Sequence, residues 1–440
     1  MDSAARGTGR PAEPGNGREV LELTVSGAAH GGWCVARDAG GRVVFVRHAL
    51  PGERVRARVT ETTASFARAE AVEILEPSPD RVEPRCPHAR PGGCGGCDWQ
   101  HASLAAQRRL KADVVAGLLQ RFAGLDRAVT VEPVPGDEDG LGWRTRVRFS
   151  VGPSGTAGLL AHRSHDVIEV GDCPIAHPLV RAGWVTGRNW APARSVEVVT
   201  SPASGERAVI VAAGTPAAAD GLAGDADTVL LARRGGRLTT LAGPGYLRQR
   251  AAGRSWRVSA GAFWQVHPGA ADTLTGAVLD AAGPRPGDVA VDLYCGAGLF
   301  AGALATAVGP QGRVIAVDAD RAAVRDARHN LRRTPWVRVH VADAAEALGW
   351  GGWPRPDLAV LDPPRTGVPR TVIERLLTPG AEPGPGSGLR RVAYVSCDPA
   401  TLARDIAVFA RSGWRLAALR AFDIFPMTHH VECVAALVPG

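Results

Sequence analysis

The sequence predicts an α/β protein in which a doubly wound, mostly parallel sheet follows a small β-barrel and a central α+β region. Three patterns indicate this. Hydrophobic strand-like runs alternate with helical segments after Pro286, short strands broken by turns fill residues 19–76, and a strand-like, Arg-rich stretch over 143–260 separates the two. Alternation of strands and helices is typical of parallel sheets covered on both faces. With 440 residues, the chain also exceeds one ordinary domain.

The N-terminal part divides into a tail and a barrel. Residues 1–18 are polar, rich in Gly, Pro and Arg, and lack an apolar core, so we expect a disordered tail and not a signal peptide. Residues 19–76 are expected to form the barrel. There, Arg54, Arg56 and Arg58 alternate along one predicted strand and share one face. Two interpretations stay open: a row that grips RNA phosphates, or a solvated outer face.

Two larger domains are expected to follow the barrel. Residues 77–270 form a predicted central, substrate-facing domain that begins with a Pro-rich linker, a cysteine cluster and an amphipathic helix over 102–122. Residues 271–440 are expected to hold the doubly wound sheet. Its last two strand-like runs predict a hairpin added to the sheet edge.

The composition favours an intracellular protein with a polyanionic partner. A formal charge of +7 and a pI near 9.3 suit phosphate binding, although the arginine excess resembles codon bias because Lys111 is the only lysine. The chain has no run of about 18 apolar residues, so no membrane span is expected. Its eight cysteines, without a secretory signal, indicate metal-binding, catalytic or packing roles. We expect a cytoplasmic monomer.

A glycine-rich loop and three acidic residues indicate a nucleotide-like cofactor. The first strand of the sheet runs into Tyr294 and Gly296, where glycine lets the backbone approach a ligand before a helix begins. Asp318 ends the second strand, where a carboxylate can accept hydrogen bonds from ribose hydroxyls, and Asp343 closes the third, near an adenine. The glycine spacing differs from the dinucleotide fingerprint. The combination predicts S-adenosylmethionine.

The fourth and fifth strands end in residues suited to chemistry on carbon. Asp362 is held at the sheet edge by two prolines. Such a DPP motif is shared by enzymes that methylate amino groups, but these usually continue with an aromatic residue, whereas Arg365 follows here. Cys397 closes the next strand. Because uracil C5 is a poor nucleophile until a group adds to C6, a cysteine suits that addition, provided that its thiol, normally of pKa about 8.5, is activated or attacks with coupled proton transfer.

The same reaction needs a base that removes the C5 proton after methyl transfer. Glu432 is the candidate, because a lone glutamate in a mainly apolar strand is costly to bury without a purpose. The neighbouring His429 and His430 are expected to have supporting roles. His267 is expected to pack or to contact RNA.

In this order, the motifs resemble the TRAM-domain uracil-5 methyltransferases of ribosomal and transfer RNA, and the resemblance spans almost the whole chain. It is carried by the barrel, the cysteine cluster, Phe-Trp-Gln, DLYCGAG, DPPR, SCDP and FPMTHHVE. It implies a class I methyltransferase fold with Cys397 as nucleophile, Glu432 as base and Asp362 near cofactor and target base. The implied cofactor contacts are Gln265, Tyr294, Asp318 and Asp343. Leu299 departs from the family, in which many members carry a polar residue there.

Four cysteines are candidate ligands of a metal centre: Cys86, Cys94, Cys97 and Cys173. Four thiolates permit zinc or an iron–sulfur cluster, and spacing does not decide between them. The resemblance favours a [4Fe–4S] cluster. The chain lacks the CxxxCxxC triplet of radical enzymes, so a structural or RNA-docking role is expected. The cysteines expected to be buried packing thiols are Cys34, Cys295 and Cys433.

Three functions of different classes follow from these motifs. The first is an RNA uracil-5 methyltransferase that acts through a covalent cysteine adduct, with ribosomal RNA favoured over tRNA as substrate. The second is an amino-group methyltransferase of the DPP type. The third is an iron–sulfur RNA-binding protein without catalysis. Cys397 and the missing aromatic residue favour the first over the second, and the full set of catalytic groups argues against the third.

Overall fold

Five strands close a barrel at the start of the computed structural model, which describes residues 19–181, 185–212, 228–234, 237–350, 355–378 and 388–440. The strands are β1 (Val20–Ala29), β2 (Trp33–Arg37), β3 (Val43–Arg47), β4 (Arg54–Thr62) and β5 (Phe66–Glu76). Their order is β1-β2-β3-β5-β4, and the β4–β1 pairing closes the ring. Alternate apolar side chains fill the interior. The predicted barrel is confirmed, whereas the predicted tail, residues 1–18, lies outside the described residues.

Arg54, Arg56 and Arg58 lie on the outer face of β4, as their alternation predicts. Each stands opposite a glutamate of β5. Arg54 forms ion pairs with glutamates on both neighbouring strands, and Arg56 forms one with Glu73 at 2.8 Å. These pairs compensate the charges of Arg54 and Arg56, whereas Glu70, which stands opposite Arg58, lies 3.7 Å from Arg47. The solvated-face interpretation therefore fits Arg54 and Arg56, and phosphate contact by the row stays a prediction.

The central part contains a seven-stranded sheet of order β13-β12-β11-β10-β7-β8-β9. Its strands are β7 (Arg146–Val151), β8 (Ala157–Leu160), β9 (Val167–Ile168), β10 (Ser195–Thr200), β11 (Arg207–Ala212), β12 (Thr228–Arg234) and β13 (Arg237–Ala242). A short helix, α2 (Pro178–Arg181), packs beside it. A separate hairpin of β14 (Tyr246–Ala251) and β15 (Arg254–Ser259) leads to the last domain. The strand-like pattern over 143–260 thus reflects real strands.

An eight-stranded sheet of order β18-β17-β16-β19-β20-β22-β21-β6 forms the C-terminal part. Its parallel strands are β16 (Val289–Leu293), β17 (Arg313–Asp318), β18 (Val337–Val341), β19 (Leu358–Leu361) and β20 (Arg391–Ser396), followed by an antiparallel pair, β21 (Trp414–Asp423) and β22 (Glu432–Pro439). The helices are α3 (Ala270–Ala282), α4 (Leu299–Val308), α5 (Arg321–Leu331), α6 (Ala344–Leu348), α7 (Arg370–Leu377) and α8 (Pro399–Arg411). One large apolar cluster covers each face. The predicted doubly wound sheet is confirmed.

Two elements of the predicted central domain pack with this sheet. Helix α1 (Leu104–Ala123) lies against α8, and β6 (Val131–Pro133) pairs in parallel with β21. The predicted hairpin therefore does not form the edge, because β6 lies beyond it. Although α1 is the longest helix, neither it nor another helix in the described ranges is apolar enough to cross a membrane.

The only lysine of the chain ties α1 to the sheet. The side chain of Lys111 is fully buried, and its Nζ donates to Asp423 Oδ1 at 2.5 Å and to the Phe425 carbonyl at 3.0 Å. Arg108 lies 3.6 Å from the same carboxylate. A buried charge without its partner is strongly destabilising, so each member of this pair constrains the other.

We predict that Lys111→Met lowers the free energy of unfolding by about 3–5 kcal/mol, because it leaves the Asp423 carboxylate buried without its closest cation. The midpoint of urea unfolding, followed by circular dichroism, measures the loss. The double variant Lys111→Met/Asp423→Leu removes both charges and should regain most of the stability. An equal loss in the single and double variants would show that the ion pair is not the cause.

Candidate active site

A cleft of about 1010 Å³ opens at the carboxyl ends of the parallel strands. It lies beside β16 and β19, where the chain order of the sheet reverses, which is where open α/β sheets bind their ligands. The barrel contributes Gly31, the cysteine loop contributes Asp98, and the central sheet region contributes His162. All three parts of the protein therefore meet at this cleft.

The loop after β16 is built for close approach to a ligand. Tyr294 has a φ of 69°, an uncommon conformation for a bulky residue, and its N–H donates to the Val317 carbonyl at 2.9 Å. Gly296, with a φ of 54°, donates its N–H to Asp318 Oδ2 at 2.9 Å. Asp318 thus fixes the glycine loop while it lines the cleft.

The structure brings together all but one of the predicted cofactor contacts. Those that line the cleft are Gln265, Tyr294, Gly296, Asp318 and Asp362. Asp343 is not among the lining residues. It is exposed, and its side chain caps α6 by accepting from the Ala345 N–H at 2.8 Å. Burial, together with the nearby charge of Asp343, raises the pKa of Tyr294 to about 12. Asp343 is therefore near Tyr294 and outside the cleft lining.

The predicted nucleophile and base meet because of strand pairing. Cys397 directly follows β20 and Glu432 begins β22, and Ser396 pairs with Cys433 in the antiparallel register. The next pair along this ladder brings Cys397 next to Glu432. Asp362 follows the adjacent strand β19, and all three predicted catalytic residues line the cleft.

The two carboxyl groups predicted to be catalytic, those of Glu432 and Asp362, have raised pKa values. Glu432 is 4% exposed, and burial followed by the charge of Asp362 raises its pKa well above the ordinary value. Burial and then the charge of Asp318 raise the pKa of Asp362 to about 7. A carboxylate with a raised pKa is a stronger base than an exposed one, which suits proton abstraction near neutral pH.

The thiol of Cys397 is not activated by a lowered pKa in the free site. Burial and then the neighbouring Glu432 raise its pKa to about 11, whereas the charge and the hydrogen bond of Arg365 act in the opposite direction. Of the two routes allowed by the sequence, attack with coupled proton transfer therefore fits the structure. Arg365 also lies 3.4 Å from His430 Nε2.

Sequence reasoning missed two residues of the cleft wall. In the sequence, Arg365 marks the absence of an aromatic residue after the DPP motif, although a cation at this position is a signal in itself. Asp98 has no sequence signal other than its place beside the cysteines. Its buried carboxylate accepts hydrogen bonds from the His429 backbone N–H at 3.1 Å and from His429 Nδ1 at 2.6 Å. Both residues line the cleft with His429 and His430.

The four predicted thiol ligands line one smaller cleft: Cys86, Cys94, Cys97 and Cys173. Its loop is tightly wrapped, since a Cβ on Gly93 would stand 2.2 Å from the His88 carbonyl oxygen and one on Gly95 would stand 2.7 Å from the His162 Cα. Gly96 donates its N–H to Cys94 Sγ at 3.4 Å, and Gln100 Nε2 donates to Cys97 Sγ at 3.2 Å. A side chain at Gly93 or Gly95 would therefore not fit this loop.

The chemistry of this cleft suits a cationic group held by thiolates. Burial first, and the other thiols in addition, raise the pKa of Cys97, and burial raises that of Cys173 to about 11, so thiolates need a compensating cation here. In the described part of the chain, no three His, Cys, Asp or Glu side chains form a ready site for one metal ion. The nature of the bound group stays a prediction. The three cysteines that the sequence predicts to be packing thiols are buried: Cys34, Cys295 and Cys433.

Family models match three parts of the chain. A TRAM domain matches residues 16–72, a methyltransferase domain matches 290–352, and the tRNA (uracil-5-)-methyltransferase family matches 357–438. The last match contains Cys397 and Glu432. The first agrees with the barrel.

Relatives match along almost the full length. Proteins described as uncharacterized RNA methyltransferases are 47% identical in Streptomyces avermitilis and 48% identical in Streptomyces coelicolor, covering 96% of this chain and 99% and 93% of the relatives. The tRNA (uracil-54, C5)-methyltransferase of Pyrococcus abyssi, solved with S-adenosyl-L-homocysteine, has the same fold. Its TM-score is 0.70 at 21% identity, covering 94% of this chain and 100% of that one. The chain belongs to the family of TRAM-domain uracil-5 RNA methyltransferases.

Proposed function

We propose that this protein transfers a methyl group from S-adenosylmethionine to C5 of a uridine in RNA through a covalent bond between Cys397 and C6. The observation that carries the proposal is the meeting of Cys397, Glu432 and Asp362 at three neighbouring strand ends inside one cleft. A cysteine and a carboxyl group side by side are the nucleophile and the base that this reaction requires.

The cofactor side of the cleft fits a positively charged methyl donor. S-adenosylmethionine supplies an electrophilic methyl group on a sulfonium. The glycine loop, Asp318 and Gln265 would hold its nucleoside and amino-acid parts. Burial and the neighbouring Asp362 raise the pKa of Asp292, and burial and Asp318 raise that of Asp362. Such crowded acidic groups are stabilised by a cationic ligand, which supports this cofactor.

The residues of the cleft then divide the chemistry between them. The Cys397 sulfur bonds to C6 while its thiol proton passes to water. The C5=C6 electron pair then forms a C4=C5 bond, and the C4=O4 electron pair moves onto O4, which gives an enolate. C5 of the enolate would take the methyl group from the sulfonium, whose sulfur would keep the electron pair of the broken bond as a neutral thioether. Glu432 removes the C5 proton, the C5=C6 bond re-forms, and the C6–S bond breaks to release the sulfur. Arg365 stabilises negative charge on this sulfur both when it attacks and when it leaves.

The competing functions predict different products. With labelled S-adenosylmethionine and bulk RNA, nucleoside analysis should show 5-methyluridine. A methylated amine would support an enzyme of the DPP type, and no transfer would support an RNA-binding protein without catalysis. We further propose ribosomal RNA as the substrate in preference to tRNA. Comparison of modified positions in both RNA classes from a deletion strain tests this choice.

We predict that Cys397→Ala and Glu432→Gln fail at different steps. Cys397→Ala should bind RNA and S-adenosylmethionine without forming adduct or product, because the nucleophile is lost. Glu432→Gln should accumulate a methylated protein–RNA adduct, because no base removes the C5 proton. Denaturing gels with labelled RNA detect the adduct as a slow band, and 5-fluorouridine RNA should trap it in the unchanged enzyme. Formation of 5-methyluridine by Cys397→Ala would rule out the covalent route.

We predict that Arg365→Gln slows alkylation of Cys397 in the free protein. With a pKa of about 11, roughly one thiol in a thousand is ionised at pH 8, and the ionised fraction rises with pH. Removal of Arg365 removes the charge and the hydrogen bond that lower this pKa, so the pKa rises further and the alkylation rate should fall, on the order of tenfold. Iodoacetamide labelling of the Cys397 peptide between pH 7 and 10 measures this, with the exposed Arg370→Gln as control. A rate plateau below pH 9 in the unchanged protein would contradict the raised pKa.

We also propose that the four clustered thiols hold a [4Fe–4S] cluster, with zinc as the alternative, in a structural or RNA-docking role. Their convergence in one cleft supports this. Protein purified without air should be brown and contain iron, and Cys173→Ser should lose colour and stability. Cys34→Ser alters a buried thiol inside the barrel and should retain iron. Colourless anaerobic protein with stoichiometric zinc would overturn the assignment to iron.

A further inference from the structure

The turn that carries the proposed base has an unfavourable backbone conformation. It joins β21 to β22 over residues 424–431, immediately before Glu432. Met427, in its middle, has a φ of 67°, which lies in the left-handed region that side chains other than glycine rarely adopt. Such a conformation persists only where the surroundings hold it. The contacts that hold this turn therefore decide where Glu432 lies.

The polar groups of Met427 are bound by residues from a distant part of the sequence. Its N–H donates to Gln107 Oε1 at 2.8 Å, and its carbonyl accepts from the N–H groups of Asp98 at 3.0 Å and Trp99 at 3.1 Å. Gln107 is fully buried and donates in turn to the Trp99 carbonyl at 3.1 Å. The cysteine loop and α1 thus form a clamp on both sides of Met427.

The Asp98 side chain extends this clamp to the next residues of the turn. Besides its two hydrogen bonds from His429, it lies 3.4 Å from Arg47 Nη2 of the barrel. A Cβ on Gly32, also in the barrel, would stand 2.7 Å from the Asp98 side chain, so the barrel packs directly against it. Asp98 is therefore in contact with the barrel and the catalytic turn, and it follows Cys97 in the chain.

We propose that Asp98 is a positioning residue that couples the cysteine loop to the catalytic turn. A group bound by the four cysteines would hold the loop in place. Met427 is then held by the N–H groups of Asp98 and Trp99, and His429 is held by the Asp98 carboxylate. When the loop is released, these contacts are lost together, and the strained turn relaxes. Glu432 then leaves the position from which it reaches C5. This inference rests on the proposed role of Glu432, but the coupling itself is a property of the fold.

Hydrogen exchange tests the coupling without any assay of activity. In Asp98→Ala, the backbone amides of residues 427–429 should exchange about ten- to a hundredfold faster. The His429 N–H loses its acceptor, the Asp98 carboxylate, and the turn loses the packing around that carboxylate. Asp98→Asn keeps one oxygen that can accept from His429, so its exchange should be intermediate. Glu70→Gln is the matched control, since Glu70 is the other carboxylate near Arg47, at 3.7 Å, and has no contact with the turn. Its turn should exchange as in the unchanged protein.

Cys173→Ser extends the test to the loop itself. It should accelerate exchange of the same amides while the barrel strands stay protected. Unchanged exchange of residues 427–429 in both Asp98→Ala and Cys173→Ser would overturn the coupling. So would an acceleration in the barrel strands as large as that of residues 427–429, because the loss of stability expected of Cys173→Ser would then account for the whole effect.

The catalytic readout separates this inference from the proposed function. With 5-fluorouridine RNA, Asp98→Ala should form the Cys397 adduct within about twofold of the normal rate, while turnover of ordinary RNA falls at least about tenfold and the methylated adduct accumulates. Normal turnover in Asp98→Ala would contradict a positioning role. If the unchanged enzyme forms no 5-methyluridine, the proposed function fails, yet the exchange experiment still decides whether Asp98 couples the loop to the turn.

Discussion

The antiparallel pairing of β20 with β22 is the constraint on which the site depends. Ser396 stands opposite Cys433, so the next residues along the ladder, Cys397 and Glu432, lie side by side in the lining of the cleft. A register shift by one residue would turn the glutamate to the other face of the sheet. The buried residues of both strands alternate between two apolar clusters, and a slip by one residue would move each side chain into the other cluster. Packing of the core therefore sets the geometry of the proposed chemistry.

That arrangement concentrates acidic groups in a poorly solvated place. Burial raises the pKa values of Asp292, Asp362, Glu432 and Cys397 alike, and each negative charge makes the next less favourable. Arg365 is the nearby cation that offsets this for the thiol. A cationic methyl donor would therefore stabilise the negative charges of this site. Its binding would lower the pKa values of the carboxyl groups. Cofactor binding and activation of the base are, in this view, one electrostatic event.

The sheet and the barrel could be predicted from the sequence, and the structure places Cys397 and Glu432 in one cleft and the four cysteines in another. The fold could be predicted because strand periodicity is a local signal, and strand-end residues meet at one edge of a parallel sheet. Ion pairs and contacts between distant residues could not be predicted in this way. The alternation of Arg54, Arg56 and Arg58 gave the correct face, but it could not reveal the facing glutamates. The strand-end position of Asp343 did not show that its carboxylate caps α6. The residues next to Asp98 in the sequence do not indicate its hydrogen bonds with His429.

The contact between Asp98 and His429 shows that distant parts of the chain depend on one another. In the turn before Glu432, the Met427 N–H donates to Gln107 and the His429 N–H donates to Asp98. The Phe425 carbonyl accepts a hydrogen bond from Lys111. All three partners precede β16, the first strand of the parallel part of the sheet, by more than 100 residues and belong to the segment that carries the cysteine loop and α1. The C-terminal sheet alone would leave Met427, whose backbone has a left-handed conformation, and the buried Asp423 without these partners. The turn that carries Glu432 is therefore completed from outside its own sheet, and the segment with the cysteine loop and α1 helps to shape the proposed active site.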